Sequence, residues 1–267
     1  HRLLVRRWHN FLGMQGRVVR GLNHIVTVSA QSQRDIAKAF KRPAADIPIR
    51  YNGIDTAMFQ PNAALARQEQ LLLTTASADQ PLKGLRFLLQ ALAELRPRHP
   101  QLRLRVIGKL KAGGETEKLL QRLDLNDAVE FVSGLTSEEM VAQYNLASIA
   151  ISPSLYEGFG LPAGEAMACE TPVITSDGGA LPEVVGDAGL VVPAGDSSAL
   201  ASAIDSLLQD APRRRELGLL GRARILSTFS WKVKAERLTH YYQTQVLNRD
   251  TPATAESAPT EVSAAPC

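Results

Sequence analysis

Between about residue 70 and residue 210, short apolar runs alternate with longer amphipathic ones. "LLLTTAS", "LRLRVIG", "AVEFVSG", "IAISPS", "PVITS" and "GLVVPAGD" read as strands. The intervening stretches "KGLRFLLQALAELRPRHP", "GGETEKLLQRLDL", "TSEEMVAQYNLA", "LPAGEAMAC", "LPEVVGD" and "SSALASAIDSLLQD" carry apolar residues at helical spacing. Thr136 and Glu139 stand at capping-box spacing, and Pro162 suits a first helical turn. Strand and helix alternating at this rhythm predict an α/β fold, a Rossmann-like doubly wound parallel sheet. No internal repeat is evident.

The flanks read differently. Leu4, Trp8, Phe11, Leu12, Val18, Val19 and Leu22 fall near helical spacing, with Arg2, Arg6, Arg7, Arg17 and Arg20 between them. "HIVTVS" (24–29) predicts a short buried strand, and Ser29 or Ser32 a cap for the helix "QRDIAKAF". "PIRYNGIDTAMFQP" (48–61) reads as a loop or crossing segment. Two helical stretches, "APRRRELGLLGRARILSTF" and "SWKVKAERLTHYYQTQVL", close the fold. The tail 249–267 has almost no large apolar side chain and reads as disordered.

A net charge of +3 is too mild to call for nucleic acid. Cys169 and Cys267 argue against a disulfide scaffold or thiolate metal site and suit a reducing compartment. No apolar run is long enough to span a bilayer, and no signal-peptide pattern opens the chain. The first residue is His1, so the expectation is a fragment or processed product. The arginine stripe leaves two readings open: docking on anionic lipid, or an apolar face packed on another domain with its arginines in solvent.

Candidate chemistry concentrates in "SLYEGFGLPAGEAMA" (154–168), a strand end, a glycine loop and a helix start. Ligands of open parallel sheets gather beyond the carboxyl ends of strands. Gly158 and Gly160 permit a sharp turn, and the N–H groups from Phe159 through Gly160 and Leu161 to Ala163, proline aside, make a phosphate site with the helix dipole. Glu157 and Glu165 flank that site, and carboxylates accept paired hydrogen bonds from vicinal hydroxyls. A phosphate loop between two such acids points to a nucleotide joined to a sugar. The plainer alternative, that glycine and proline only end a strand and Glu165 complements the dipole, stays open on spacing alone.

"EGFGLPAGE" resembles the E-x7-E signature of retaining GT-B glycosyltransferases of the family-4 type. "HIVTVSAQSQRDIAKAF", "IRYNGIDTAMFQP", "PLKG", "RVIGK", "FVSGLTSEEM" and "TPVITSDGGALPEVVGDAGLVVPAGD" follow in the order found there, over roughly residues 23 to 245. The resemblance implies a GT-B C-terminal domain with a remnant of the N-terminal one. Residues 1–50 would end the acceptor-side domain, 51–229 form the donor-binding domain, and 230–248 a helix packing back toward the first domain. It further implies a nucleotide-sugar donor, a sugar or lipid-linked acceptor, no cofactor, no metal, and a cytoplasmic location, with peripheral contact at the inner membrane face as a second reading. Carried over, Glu165 would hold the ribose hydroxyls and Glu157 the hydroxyls of the transferred sugar. Gly158, Phe159, Gly160 and Leu161 would face sugar or diphosphate. Lys83 would neutralise the diphosphate as the bond breaks, and Gly108–Lys109 with Val132–Ser133 would line the base.

The departures also bear on function. Family members usually carry an arginine shortly before the lysine, where this chain has Ser77 and Ala78 in "TTASADQPLKG". Arg86 or Lys109 would then have to assist Lys83, or donor binding would be weak. Glu170 replaces a common glycine and reads as a tolerated helix end. Gly178 and Gly179 suggest either a further backbone site or a plain turn with Glu183 on the surface. His1, His9, His24, His99 and His240 sit in no matching context, and the family's glycine-rich loop and histidine would lie upstream. Beside the transferase, two other readings stand: a nucleotide-binding module without transfer, and a GT-B nucleotide-sugar epimerase.

Overall fold

The computed structural model describes residues 13–76 and 79–247. The first half of the arginine stripe, Ser77, Ala78 and the tail from 248 onward lie outside the described residues. Six strands form one sheet in the order β3-β2-β1-β4-β5-β6, with every pairing parallel. They are β1 (Gln68–Thr75), β2 (Arg103–Ile107), β3 (Val129–Val132), β4 (Ala147–Ser152), β5 (Val173–Ser176) and β6 (Leu190–Val192). The helices are α1 (13–21), α2 (Ala30–Phe40), α3 (Leu85–Leu95), α4 (Glu115–Arg122) and α5 (Ser137–Leu146). They continue with α6 (Leu161–Ala168), α7 (Leu181–Val185), α8 (Ser197–Gln209), α9 (Ala211–Arg224) and α10 (Trp231–Tyr241).

The apolar runs become strands because both faces of the sheet are covered. Leu72 stands opposite Leu104 and Ile149 in the register. With Ile151 and Ile174 these pack on Leu88 and Leu92 of α3 and on Ile204 and Leu207 of α8. The adjacent strand residues Leu73, Ala150 and Val173 turn to the opposite face and meet Met167, Val184 and Phe229. Thr136 caps α5 in the reciprocal box with Glu139, and Ser29 caps α2, which starts at Ala30, earlier than the sequence pattern indicates.

The chain leaves β1 for β2 and β3 on one side, then returns to lay β4, β5 and β6 on the other. The strand order therefore reverses between β1 and β4, the switch point at which open parallel sheets place a ligand crevice beyond the carboxyl ends of their strands.

One expected strand is absent. Residues 24–29 make only a single parallel bridge, Thr27 to Ile49, fixed by Thr27 N–H to the Pro48 carbonyl (3.1 Å) and Arg50 N–H to the Thr27 carbonyl (2.7 Å). A strand needs a ladder, and among the described residues no second neighbour pairs with this segment. Helix α10 lies along the crossing segment: Trp231 N–H donates to the Ile54 carbonyl at 3.1 Å, and the Arg50 guanidinium stacks on Tyr241 at 4.8 Å.

Asp205 ties α8 to the end of α3. It bonds His99 Nε2 at 2.6 Å, accepts from Gln209 at 2.9 Å, and pairs with Arg98. The His99 bond is the largest cause holding its carboxyl down at about 2. A depressed carboxylate contributes stability above its unfolded value, and that contribution is lost as pH falls through the folded one. Asp205→Asn should therefore cost about 1 kcal/mol at pH 7, solvent around Arg98 screening the rest. In urea titrations the gap between the two proteins should close toward pH 2; a gap independent of pH would contradict this account.

Candidate functional site

The loops after β1 and β4 are stitched together. After β1 the chain makes a 3-10 turn, Pro81–Lys83, closed by Gly84 at φ +68°. Leu155 N–H in the β4 loop donates to the Leu82 carbonyl at 2.8 Å. A Cβ on Gly84 would lie 1.9 Å from the Pro153 carbonyl oxygen, so only glycine lets the two backbones come this close. The result is an ion pair across the crevice, Lys83 Nζ to Glu157 Oε1 at 2.7 Å. Ser154 Oγ donates to the same oxygen at 2.9 Å. The two side chains are 33% and 17% exposed, sheltered but within reach of a ligand.

A third loop, after β5, supports Glu157 from below. Glu157 N–H donates to the Gly178 carbonyl at 3.3 Å, and Ala180 N–H donates to the Glu157 carbonyl at 2.9 Å. A Cβ on Gly178 would sit 2.2 Å from the Ser154 carbonyl oxygen, and one on Gly179 2.3 Å from that of Glu157. Of the two readings of Gly178 and Gly179, this packing suits the turn, since both glycines seat the Glu157 loop. The placement of Glu183 is corrected. It is half-buried rather than on the surface, and both its oxygens accept the Ala30 N–H, at 2.8 and 2.9 Å. Burial and then Glu183 push the neighbouring Tyr51 phenol up to about 12.

Helix α6 begins where the loop ends. Gly160, at φ +100°, precedes Leu161, and Pro162 occupies the first turn. The N–H groups of this turn have no partner within the helix, so the helix presents an electropositive end toward the crevice. Phe159 is buried against Tyr51 and Phe229, at ring centroid distances of 6.4 and 5.7 Å, which anchors the loop from behind. One turn into α6, Glu165 accepts from the Tyr144 hydroxyl at 2.9 Å. Burial raises the Glu165 carboxyl above its usual range, while the Tyr144 bond opposes that rise. Arg67 fastens the two helices that carry this pair, donating to the Ala147 and Cys169 carbonyls at 2.9 Å each. Burial pushes the Cys169 thiol up to about 12, so it stays a packed thiol.

At the other end of the crevice, β2 and β3 run side by side. Gly108 N–H donates to the Val132 carbonyl at 2.8 Å, and Lys109 and Ser133 beside them are exposed. Residues 59–224 match the family described as "Glycosyl transferases group 1".

The chain belongs to this family of glycosyl transferases.

Its relatives agree. It is 43% identical over 245 residues to the MMP alpha-(1->4)-mannosyltransferase of Mycolicibacterium hassiacum, covering 90% of this chain and 58% of that protein. It is 32% identical over 243 residues to the GDP-mannose-dependent alpha-(1-6)-phosphatidylinositol monomannoside mannosyltransferase of Mycolicibacterium smegmatis, covering 83% and 62%. Among solved structures, sucrose-phosphate synthase from Thermosynechococcus elongatus superposes with a TM-score of 0.79 at 30% identity, over 90% of this chain and 62% of that one. The chain thus spans roughly three fifths of the length of these relatives. Its architecture is that of a partial GT-B glycosyltransferase.

In this chain the structure brings Lys83 and Glu157 together across a sequence separation of 74. Glu165 opens from the same loop and helix but is held by Tyr144, apart from that ion pair. Arg86, exposed at the start of α3, stacks on the ring of Phe87 at 4.3 Å. Lys109 is exposed just beyond the end of β2 and makes no ion pair with Glu157 among the described residues. Glu170 adopts φ +56°, the left-handed helix end that its place after α6 demands. Sequence reasoning passed over Ser154 and Tyr144, and read Ser29 and Ser32 only as candidate helix caps, without their bonds to the Gly158 carbonyl. Ser154, three residues before Glu157, carried a local signal, whereas Tyr144 reads simply as core.

Proposed function

We propose that this chain binds a nucleotide sugar in the crevice between the β1 and β4 loops. The protein would transfer the hexose, mannose being the best supported, to a sugar or lipid-linked acceptor with retention of configuration. The Lys83–Glu157 pair at the reversal of strand order carries this reading. A fixed cation beside a hydroxyl-accepting carboxylate, facing a helix N-terminus, suits a diphosphate whose other end is a polyol. The mannosyltransferase relative supports the sugar. The second relative is named as GDP-mannose-dependent and α-specific. Because nucleotide mannose is itself α-linked, an α product means that configuration is kept.

In this reading the ribose hydroxyls meet Glu165, and Gly108, Lys109, Val132 and Ser133 line the base. Backbone N–H groups of Phe159, Gly160 and Leu161 meet the diphosphate or the sugar. Glu157 accepts hydroxyls of the transferred hexose; its charge beside the phosphates is tolerated because Lys83 lies between them. As the glycosidic bond breaks, negative charge accumulates on the leaving diphosphate. Lys83 then interacts more strongly with the transition state than with the ground state, which is how a fixed charge accelerates the step. Glu157 is a positioning group here, and two carboxylates around a phosphate loop do not match the acid–base pair of a glycosidase.

Calorimetry of the purified chain with GDP, UDP and ADP tests the reading. One nucleotide should bind saturably, and Lys83→Ala should weaken it roughly 10- to 100-fold, the value of a charge-assisted bond. A folded chain that binds none of the three would overturn it. Release of nucleoside diphosphate by the whole protein only in the presence of acceptor separates a transferase from an epimerase.

A further inference from the structure

Helix α2 lies outside the residues matched to the family, yet it grips the donor loop on both sides of Glu157. Before Glu157, the Tyr156 hydroxyl donates to Asp35 at 2.5 Å. After it, the Gly158 carbonyl accepts two hydroxyls, Ser29 Oγ at 2.8 Å and Ser32 Oγ at 3.2 Å. Ser29 is fully buried, and its oxygen also accepts Ser32 N–H at 3.0 Å, so its hydroxyl proton is left to point at Gly158. Glu183 holds the helix end in place through Ala30 N–H.

We infer that Ser29 and Ser32 are positioning residues that set the orientation of the Gly158–Phe159 peptide for the ligand; this rests on the donor-site reading above. A trans peptide is planar, with its C=O and N–H pointing in opposite directions, and no cis bond occurs among the described residues. Fixing the Gly158 carbonyl on the two serines therefore turns Phe159 N–H away from α2, toward the side assigned to the diphosphate and sugar. Glycine at 158 makes that constraint necessary. Without a Cβ the peptide on either side of it rotates easily, and a rotated peptide would present a carbonyl oxygen to an anion. Phe159 cannot prevent the rotation alone, because its ring is anchored through Cα and not through the peptide plane. Two hydroxyls bonded to one oxygen, that of Ser29 fully buried, make the flipped state costly, since that state takes both donors off their acceptor.

The consequence reaches beyond the loop. Ser29, Ser32 and Asp35 sit on one helix that is separate in sequence from the donor sheet, so any displacement of α2 releases the peptide. Donor affinity is then coupled to the seating of α2 rather than fixed by the donor loop alone.

The test compares wild type with Ser32→Ala and Ser29→Ala/Ser32→Ala. Ser29→Thr serves as the conservative control, since it keeps both the helix cap and the donor hydroxyl. Two readouts are needed. First, amide hydrogen exchange of residues 156–161 is measured without nucleotide. The double variant should exchange at least roughly tenfold faster there, with the β1 and β4 core unchanged. Second, GDP-mannose and GMP affinities are compared by calorimetry. The double variant should lose roughly tenfold in GDP-mannose affinity and hold GMP within about twofold, with Ser29→Thr restoring both. Unchanged exchange at 156–161 overturns the proposal whatever the nucleotide does. An equal loss for GDP-mannose and GMP also overturns it, in favour of a merely structural role. If wild type binds none of GDP, UDP and ADP, the donor-site reading fails, and the exchange result still decides whether the serines hold the peptide.

Discussion

Gly84→Ala should cost about 4 kcal/mol of folding stability and abolish nucleotide binding, an unusually large effect for one methyl group. Two separate penalties meet at this position. Gly84 adopts φ +68°, a conformation that costs a residue with a Cβ about 1–2 kcal/mol. The added carbon would also fall 1.9 Å from the Pro153 carbonyl oxygen and 2.7 Å from its carbonyl carbon. Those atoms are backbone of the β4 loop, so no side chain can rotate away to make room. Relief requires separating the two loops, which breaks the Leu155-to-Leu82 bond and draws Lys83 away from Glu157. Gly134→Ala isolates the first penalty: Gly134 sits at φ +76° with nothing within 4 Å of its Cβ position. That variant should lose only about 1–2 kcal/mol. Urea unfolding of both, with calorimetry of whichever nucleotide binds wild type, decides the matter. Equal losses would mean that the β4 loop yields easily and that the crevice is not rigidly built.

What the sequence discloses follows the range of each interaction. The strands were legible because both faces of the sheet are buried, so continuous apolar runs bounded by glycine and proline mark them. The cap at Thr136 and the turn at Pro162 are written within four residues and were equally plain. Glu157 and Glu165 could be singled out because a glycine loop ahead of a helix has a chemistry of its own. Their supports could not. Glu183 reaches Ala30 across 153 residues, and Ser29 reaches Gly158 across 129, distances over which composition and periodicity say nothing. Residues 24–29 misled for a related reason: their alternation is that of a strand, but strand formation depends on neighbours that local pattern does not reveal. Lys83, too, reads locally as a solvated lysine opening a helix, and only the fold sets it against Glu157.

Glu165→Gln should separate function from stability in the direction opposite to most substitutions: nucleotide binding falls while the unliganded chain becomes no less stable. The carboxylate is partly buried, and burial raises its pKa. A raised carboxyl is disfavoured as an anion in the folded state, so stability should decline as pH rises from the ordinary carboxylate value through the folded one, then level off. Glutamine removes that decline and can still accept the Tyr144 hydroxyl through its amide oxygen. Tyr144 is only 1% exposed, so this bond must be kept. Glu165→Ala leaves the phenol unpaired in the core and should cost about 1–3 kcal/mol. For the ligand the ranking differs. A ribose diol donates two hydrogens to a carboxylate, whereas an amide offers one accepting oxygen and a competing donor. Both variants should therefore bind nucleoside diphosphate roughly 10- to 100-fold more weakly, with the 2′-deoxynucleotide much less affected because it lacks one of the two hydroxyls. Stability measured across pH 4 to 8, alongside ribo- and deoxyribonucleotide affinity, tells the roles of this acid apart. Should Glu165→Gln bind ribonucleotide as wild type does, the ribose assignment is wrong and Glu165 is a core acid serving Tyr144. Should the variant be less stable than wild type at neutral pH, the carboxylate is compensated in the folded state by contacts beyond its bond to Tyr144.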